Sequence, residues 1–313
     1  MKHIFIINPN SGKSKACDYI PIIDEIFKKR KDEYEIVKTK YEGHAIEIAK
    51  RFSLSDTIRL YAIGGDGTIN EVINGVGTSK IPIGVIPAGS GNDFIKSAYH
   101  NLSNDPKEII NSLLNGKIEN VSLGKINDSY FVNISSIGFD TYVVKNARLI
   151  KKLPLIPGSI AYLLSIFVTL CTYKKQNVKI LIDEEKVNAK IFLVAFGIGK
   201  YYGGGMKVLP NAIINDEKID ICIVNNISKI VVFFLFPKLI KGEHLTKKMS
   251  KYITYRKISK LQITSDKPML VNKDGELYKY KEINCTIISK GFSLIMPKLN
   301  DKKINNWIYF ISI

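Results

Sequence analysis

The sequence predicts an α/β protein with two domains, the first built on a parallel sheet and the second mostly antiparallel β. Three observations lead to this prediction. Short apolar runs alternate with helical patterns along the first part of the chain, which is typical of a parallel sheet with helices on both faces. From about Ile118 the apolar runs mostly follow one another directly, which indicates antiparallel strands. The 313 residues are also enough for two cores of ordinary size.

We place the domain boundary where this rhythm changes. The first domain covers residues 1–124 and the second covers residues 125–295. Residues 296–313 form a C-terminal tail that is expected to pack back on the first domain, and its last part, 305–313, is apolar. Hydrophobic residues make up 45% of the chain and charged residues 24%, without a low-complexity tract, so both domains are expected to be globular.

The elements of the first domain are short periodic runs separated by turn residues. Strands are predicted at 4–7, 34–37, 58–63 and 81–86, and helices at 15–29, 43–51, 69–76, 92–99 and 106–115. Three of these strands end in loops that are rich in Gly or Asn. Because the carboxyl ends of parallel strands lie at one edge of a sheet, these loops are expected to form a ligand site together.

The loop after the third strand gives the strongest local signal. Gly64, Gly65 and Gly67 precede a helix whose apolar residues recur at spacings of three and four. Glycine permits left-handed φ values and close approach of backbone N–H groups to an anion, and the helix N-terminus adds positive charge, so the segment predicts a polyphosphate cradle. Asp66 would repel phosphate unless a divalent cation lay between them, and we interpret it as a Mg²⁺ anchor. Taken alone, the segment fits an ordinary strand-turn-helix connection equally well.

Charge and cysteine content narrow the class of protein. Lys and Arg number 46 against 29 Asp and Glu, and the net charge of +17 favours anionic partners such as nucleotides, nucleic acids or acidic lipids. The basic residues are dispersed and no nucleic-acid-binding module is recognisable, so no nucleic-acid partner is predicted. The four cysteines form neither a close pair nor a metal-ligand pattern, and the N-terminal apolar run is too short for a signal peptide. These features favour a reduced, cytoplasmic protein.

Two apolar segments interrupt the strands of the second domain. Residues 153–173 carry no charge, but two prolines and a glycine shorten the usable helix to 159–171, which fits a buried or interfacial helix rather than a membrane span. A second apolar helix is predicted at 230–236 and is expected to end near Pro237. Strands are predicted at 131–134, 178–182, 189–196, 219–224, 258–264, 269–272 and 284–288.

A series of short motifs occurs along the chain. In order, they are Asn8-Pro9-Asn10-Ser11-Gly12, Thr39 with Gly43-His44-Ala45, Gly64-Gly65-Asp66-Gly67-Thr68-Ile69-Asn70-Glu71, Pro87-Ala88-Gly89-Ser90-Gly91-Asn92-Asp93-Phe94, Phe131-Val132-Asn133, Gly138-Phe139-Asp140, Tyr201-Tyr202-Gly203-Gly204-Gly205-Met206 and Asp274-Gly275-Glu276. Each motif alone is weak, whereas all of them in this order are specific. In this combination the chain resembles the bacterial diacylglycerol kinase-like lipid kinases, which share a catalytic domain with diacylglycerol and sphingosine kinases. The resemblance covers nearly the whole chain.

The resemblance implies ATP and Mg²⁺ as cofactors, with ATP in a cleft between a nucleotide-binding first domain and a lipid-substrate second domain. The nucleotide contacts that it implies are Asn8, Pro9, Asn10, Ser11, Gly12, Thr39, Gly64, Gly65, Asp66, Gly67, Thr68, Ile69, Asn70, Glu71, Ser90 and Asn92. Asp66 and Asp93 can supply ligands for the catalytic Mg²⁺. Relatives bind a structural Mg²⁺ at an Asp-Asp-Gly turn, which reads Asn215-Asp216-Glu217 here and leaves Asp216 as the matching ligand, with neighbouring backbone carbonyls as further candidates.

The chemistry of phosphoryl transfer assigns roles to the remaining acids. The reaction needs held phosphates, a cation that neutralises them and a base aligned with the acceptor hydroxyl. Because Asp66 is assigned to metal and phosphate, the turn Asp274-Gly275-Glu276 is the candidate source of the base. We assign Glu276 as general base and Asp274 as the residue that orients the site or assists the metal. Taken alone, this turn is more simply a plain hairpin.

The leading hypothesis is a lipid kinase that transfers the γ-phosphate of ATP to a lipid hydroxyl, with diacylglycerol as the first choice. Enzymatic alternatives are a kinase for phosphatidylglycerol, a sphingoid base or a polyprenol, and an enzyme similar to NAD kinases. A membrane-binding protein with impaired catalysis is the non-enzymatic alternative, which the altered turn at 215–217 favours. The protein is expected to associate peripherally with the anionic inner face of the cell membrane. The sequence leaves a homodimer open.

Overall fold

The computed structural model describes residues 1–55, 57–99, 101–152, 158–225 and 227–298. These residues form two compact units. Unit 1 contains Met1–Ser90, Ala98–Val121 and the described residues from Phe292 onward, and unit 2 contains Gly91–Ser97 and Ser122–Gly291. The units are therefore not two consecutive stretches of chain. The predicted tail at 296–313 lies outside the described residues from position 299 onward.

Strands and helices alternate in the first part of the chain, and strands dominate the rest. The strands are β1 Lys2–Ile7, β2 Glu33–Lys38, β3 Ile58–Gly64, β4 Pro82–Pro87, β5 Lys117–Ile126, β6 Ser129–Phe131, β7 Ile134–Gly138, β8 Gln176–Ile182, β9 Glu185–Gly197, β10 Ile219–Asn225, β11 Ile253–Ile258, β12 Lys260–Lys273 and β13 Glu276–Met296. The helices are α1 Tyr19–Phe27, α2 His44–Phe52, α3 Asp66–Val76, α4 Asp93–Ala98, α5 Pro106–Leu114, α6 Phe139–Ile150, α7 Gly158–Thr172 and α8 Lys229–Lys241.

The sheet of unit 1 is parallel, as predicted. Its strands lie in the order β4-β3-β1-β2, and the end of β13 pairs in parallel with β4 at Ser293 and Leu294. Ile4 to Ile7 and Leu60 to Ile63 are fully buried, because helices cover both faces of a parallel sheet. The carboxyl ends of β1, β3 and β4 consequently lie side by side and carry the loops with the predicted nucleotide contacts.

The sheet of unit 2 is antiparallel. Its strands lie in the order β11-β10-β9-β7-β12-β13, while β8 pairs with β9 and β12 and the short β6 pairs with β5. One apolar cluster fills the space under the sheet, and a second lies between the sheet and helices α6, α7 and α8. The second cluster places these three helices around the unit's apolar cavity.

Two strand predictions in the second domain were wrong in detail. The predicted strand at 131–134 is divided between β6 and β7, because the N–H groups of Val132 and Asn133 donate to the carboxylate of Asp274 and not to a neighbouring strand. The predicted strand at 258–264 begins with the last residue of β11, and the rest of it joins the predicted strand at 269–272 in one strand, β12, with a shift of register between them. The preceding strand β11 was not predicted, since only Ser259 separates it from β12.

The prediction that Pro237 ends the second apolar helix was also wrong. Helix α8 continues past Pro237 for another turn. It runs from its N-cap at Ser228 to its C-cap at Gly242. Proline removes one backbone hydrogen bond and frees the carbonyl four residues earlier, here that of Phe233. Because the side chain of Phe233 is 65% exposed, this carbonyl lies on the outer side of the helix, where another hydrogen-bond donor, such as water, can replace the lost N–H. The helix predicted at 159–171 is confirmed as α7, and among the described residues no helix is both long and apolar enough to cross a membrane.

Candidate active site

The first part of the site is formed by the loops at the carboxyl ends of β1, β3 and β4 in unit 1. Asn8 joins two of these loops, since its backbone N–H donates to the carbonyl of Ile63 at 3.0 Å and its Nδ2 donates to Thr68 Oγ1 at 3.1 Å. Gly12 contacts the third loop so closely that a Cβ atom would lie 2.1 Å from the carbonyl oxygen of Ala88. Its φ of 61° is also left-handed, so glycine is required here for two reasons. The predicted convergence of these loops is what the structure shows.

The glycines after β3 act differently from the prediction. Of the glycines that the structure describes at 64, 65 and 67, none has a positive φ, and the left-handed turn predicted for this loop was therefore wrong. Gly64 is needed for space, because a Cβ atom there would lie 2.4 Å from Thr68 Oγ1. Helix α3 begins at Asp66, so that Gly67 and Thr68 belong to its first turn. Since Gly65 as N-cap has no side chain, the first-turn N–H groups can face an anion.

Glu71 ties the Thr39 loop to helix α3. Its two carboxylate oxygens accept hydrogen bonds from the backbone N–H groups of Gly43 at 3.0 Å and Ala45 at 3.1 Å, at the N-terminus of α2. The backbone N–H of Thr39 donates to the carbonyl of Ile7 at 2.8 Å, which continues the pairing of β1 and β2. Glu71 therefore fixes the N-terminus of α2, while the bond to Ile7 places Thr39 beside the end of β1.

The other residues of the predicted nucleotide set differ in what they can offer. The side chain of Ile69 is fully buried in the core, and its backbone N–H donates to the carbonyl of Gly65. Asn70 is also buried and accepts a hydrogen bond from Asn74. Ser90 is exposed at the end of the loop after β4. The turn that follows β1 is closed by a hydrogen bond from Ser11 to the carbonyl of Asn8, and Pro9 and Asn10 lie within it.

Asn92 and Asp93 belong to unit 2. Asn92 has a left-handed φ of 53° and precedes helix α4, whose first residue is Asp93. The carboxylate of Asp93 is 6% exposed, accepts a hydrogen bond from the backbone N–H of Gly204 at 2.8 Å and lies 3.5 Å from Lys96 Nζ. Asp93 therefore fixes the Gly203–Gly205 segment, whose three glycines all have positive φ.

The acidic turn of the second domain is a two-residue hairpin between β12 and β13. Asp274 and Gly275 have φ values of 47° and 94°, as both central residues of a type I′ turn require. The carboxylate of Asp274 is buried and accepts hydrogen bonds from the backbone N–H groups of Val132 at 2.8 Å and Asn133 at 3.0 Å. Asp274 is thereby fixed in one orientation and orders the segment between β6 and β7.

Glu276 is the accessible acid of this turn. Its side chain is 39% exposed and forms an ion pair with Arg148 of α6, with Nη2 2.7 Å from Oε2. The same guanidinium donates to the carbonyl of Gly275 at 2.9 Å. Arg148 was not anticipated from the sequence, because it lies 128 positions away from Glu276 and belongs to none of the motifs.

Comparison with known proteins agrees with this arrangement. Residues 2–126 match the family model described as "Diacylglycerol kinase catalytic domain", and residues 133–294 match that described as "YegS C-terminal NAD kinase beta sandwich-like domain". A diacylglycerol kinase of Staphylococcus epidermidis is 30% identical over 307 residues, which cover 96% of this chain and 94% of the relative. The chain belongs to the bacterial diacylglycerol kinase family.

Two further relatives extend over the same length. The diacylglycerol kinase of Bacillus subtilis (strain 168) is 26% identical to this kinase over 303 residues, which cover 96% of this chain and 98% of the relative. A crystal structure of a diacylglycerol kinase from Bacillus anthracis superposes with a TM-score of 0.70 at 21% identity, and the match covers 96% of this chain and 97% of that one. The two-domain α/β fold and the assignment as a lipid kinase are therefore confirmed.

The turn at 215–217 of the kinase does not fit the structural Mg²⁺ that the resemblance implies. The carboxylate of Asp216 is already paired with the ammonium group of Lys257 on β11, and its Oδ1 accepts from the backbone N–H of Lys218 at 3.2 Å. The carbonyl of Ile213, a further candidate ligand, accepts from the N–H of Asp216. Partial burial alone would raise the pKa of Asp216, but Lys257 outweighs it and holds this pKa below its usual value. A lysine thus supplies the positive charge at this turn.

The remaining acidic residues of the site suit a Mg²⁺ ion whose other ligands are phosphate oxygens and water. Within the described part of the chain, no group of three or more His, Cys, Asp or Glu residues is arranged to hold a metal ion. Mg²⁺ commonly binds through one or two carboxylates, with phosphates and water as the other ligands. Asp66, in the first turn of α3, is placed for this kind of binding when a nucleotide is present.

We expect that no metal ion bound at Asp216 contributes to the stability of the nucleotide-free kinase. Chelation or addition of Mg²⁺ should shift the melting temperature of Asp216→Asn by the same amount as that of the unmodified kinase. Lys257→Met should lower the free energy of unfolding by about 0.2–1 kcal/mol, the usual range for an exposed ion pair. Arg256→Met, which removes the neighbouring pair with Glu185, is the matched control. A stabilisation by Mg²⁺ that Asp216→Asn abolishes would contradict this account.

Proposed function

We propose that the kinase transfers the γ-phosphate of ATP, with Mg²⁺, to the free hydroxyl of diacylglycerol at the anionic inner face of the cell membrane. The choice of a lipid with long apolar chains rests on one observation, an apolar cavity in unit 2. The cavity has a volume of about 50 Å³ and lies between the sheet and helices α6, α7 and α8, so an entering acyl chain must move these helices apart. Its lining is apolar except for Asp140 and the two tyrosines Tyr162 and Tyr202, whose rings are apolar and whose hydroxyl groups are polar.

Asp140 gives the cavity a polar end. Its side chain is 5% exposed, accepts a hydrogen bond from the hydroxyl of Ser136, and has at Oδ1 no hydrogen-bond partner among the described residues. Burial raises the pKa of this carboxyl to about 6. A buried carboxyl at one end of an apolar cavity orients an amphiphilic ligand, with its polar end toward the carboxyl and its chains away from it.

The polar end of the cavity is connected to the turn that carries Glu276. Ser136 on β7 lies opposite Asn272 on β12 in the register of the two strands. The Oδ1 atom of Asn272 accepts a hydrogen bond from the backbone N–H of Gly275 at 2.9 Å. A lipid whose acyl chain enters at this cavity would therefore have its polar part near the acidic turn, which supports Glu276 as the group that receives the hydroxyl proton.

In this proposal, different residues hold the phosphates, accept the hydroxyl proton and orient the acidic turn during phosphoryl transfer. The N-terminus of α3 holds the phosphates, and Asp66 would hold a Mg²⁺ ion, which when bound would neutralise part of their charge. The lipid hydroxyl oxygen forms a bond to the γ-phosphorus, the bond between that phosphorus and the bridging oxygen of ADP breaks, and the hydroxyl proton passes to Glu276. The products are ADP and phosphatidic acid. Asp274 keeps the turn in place through its two backbone hydrogen bonds.

A panel of acceptors tests the choice of substrate. Diacylglycerol, phosphatidylglycerol, ceramide, sphingosine and a polyprenol are offered in mixed micelles with radiolabelled ATP, and NAD⁺ is offered in solution. We expect diacylglycerol to give the highest kcat/KM. Preferential labelling of another lipid would replace diacylglycerol as the acceptor, and labelling of NAD⁺ alone would contradict the proposed function.

A further inference from the structure

Helices α7 and α8 of unit 2 expose large apolar side chains along one surface. We call this set the apolar ridge. Three of its members lie on each helix, and their exposed fractions run from 48% to 72%. The members are Ile160, Leu163, Phe167, Ile230, Phe233 and Phe234. Monomeric proteins seldom leave such a continuous apolar patch in water, so the ridge requires an explanation.

The orientation of both helices is fixed by their inner faces. Ile166 and Leu170 of α7 pack on the apolar cluster above the sheet, as do Val232 and Leu239 of α8. The ends of the helices are joined, because Lys229 Nζ at the start of α8 donates to the carbonyl of Cys171 at 2.7 Å. Because both helices pack on the same cluster and meet at Lys229, their exposed faces are neighbours. Rotation of either helix to bury its outer face would remove its inner contacts.

Charge distinguishes between two occupants of the ridge. Neither helix contains an acidic residue, and lysines lie on α8 and on the segments that flank α7. These lysines are Lys151, Lys152, Lys174, Lys175, Lys238 and Lys241. A second copy of the chain would bring the same positive charges to the contact, and like charges repel. An anionic bilayer offers apolar chains for the ridge and negative headgroups for the lysines.

We propose that the apolar ridge inserts into the headgroup region of an anionic membrane, with the flanking lysines at the lipid phosphates. The 15 residues of α7 are about 22 Å long, less than the roughly 30 Å of the hydrocarbon core, so the helices lie in the membrane surface. This inference rests on the proposed function, because it identifies where the kinase meets the membrane that holds its lipid substrate. Both helices, α7 and α8, make this contact.

Vesicle sedimentation tests the apolar part of the contact. We expect Phe233→Ser/Phe234→Ser to bind vesicles of phosphatidylcholine and phosphatidylglycerol at least tenfold more weakly than the unmodified kinase. Leu54→Ser is the matched control, because Leu54 is 94% exposed but belongs to unit 1. Equal binding by the double variant would overturn the proposal. Light scattering that shows a dimer of the unmodified kinase and a monomer of the double variant would assign the ridge to a second copy of the chain instead.

Charge reversal tests the electrostatic part. Lys238→Glu and Lys241→Glu should each weaken binding to the anionic vesicles by more than roughly 5-fold, the equivalent of the ~1 kcal/mol that one lysine contributes, and raised salt should also weaken binding by the unmodified kinase. Binding that is as strong to pure phosphatidylcholine, or insensitive to salt, would remove the lysines from the proposal.

A short-chain substrate separates this proposal from the proposed function. Dihexanoylglycerol is monomeric in water, so its phosphorylation does not need membrane contact. The double variant should keep the unmodified kcat/KM on dihexanoylglycerol and lose activity on long-chain diacylglycerol in anionic vesicles. Equal losses on both substrates would place the two phenylalanines in the active site and overturn the ridge as a docking surface. If neither substrate is phosphorylated by the unmodified kinase, the proposed function fails, while sedimentation still decides the ridge.

Discussion

Replacing Gly67 with valine is expected to abolish ATP binding and, with it, lipid phosphorylation. Gly67 lies in the first turn of α3, where backbone N–H groups have no acceptor within the helix and can bind phosphate. A branched side chain at this position fills the space that the phosphates must enter. We expect ATP affinity to fall by at least ~100-fold, or ~2.7 kcal/mol. Calorimetric titration of the variant with ATP in the presence of Mg²⁺ measures the change.

The fold itself should tolerate this substitution. Valine has a higher helix propensity than glycine, so the melting temperature of the nucleotide-free variant should not fall. Gly67→Ala is the matched control, and its smaller methyl group should give an intermediate loss of affinity. Undiminished ATP binding by Gly67→Val would show that the N-terminus of α3 is an ordinary helix start and not a phosphate site.

Replacing Glu276 with glutamine should lower kcat by ~10²–10⁴-fold, the usual contribution of general-base catalysis, and leave ATP affinity unchanged. Glutamine keeps the size of the side chain but cannot take the proton of the lipid hydroxyl. Asp274 cannot easily replace Glu276 as the base, because both of its oxygens accept backbone hydrogen bonds. Steady-state kinetics with diacylglycerol in mixed micelles measures the effect.

Two further variants separate catalysis by Glu276 from its ion pair. Arg148→Gln breaks the ion pair while keeping the carboxylate, and we expect it to cost less than tenfold in kcat. A loss as large as that of Glu276→Gln would mean that the pair, and not the proton acceptor, is what activity needs. If Glu276→Gln stays active while Asp274→Asn is inactive, the two acids exchange roles; if both stay active, the turn is only a hairpin.

The fold of unit 1 was predictable because its signals are local. Three of its four strands are short apolar runs that end at Gly, Asn or Pro, and the observed strand bounds agree closely with the predicted ones, whereas the helix predicted at 15–29 is shortened to α1 at Tyr19–Phe27. The strands and helices of the antiparallel unit were harder to predict from the sequence. The separation of β6 from β7 depends on a carboxylate far along the chain, and the continuation of α8 past Pro237 depends on an exposed outer face. Neither contact leaves a pattern in the neighbouring sequence.

The candidate site also contains residues that local motifs identified and residues that depend on contacts far along the chain. The motifs identified the loops around Asn8, Asp66 and Asp274, because glycines and acids at fixed spacing are visible in one sequence. The partners Arg148 and Lys257 could not be found in this way. Each pairs with an acid across the fold, and one lysine among many gives no signal until β11 is placed beside the turn at Asp216.

Transfer of label from ATP to a lipid tests the central claim most directly. The kinase is incubated with dihexanoylglycerol and Mg²⁺ and with ATP labelled either in the γ-phosphate or in the α-phosphate, and the lipid product is separated and counted. The account predicts label in phosphatidic acid from γ-labelled ATP alone, and none when Gly67→Val replaces the unmodified kinase. Absence of label from the lipid, or its appearance from α-labelled ATP, would contradict the account.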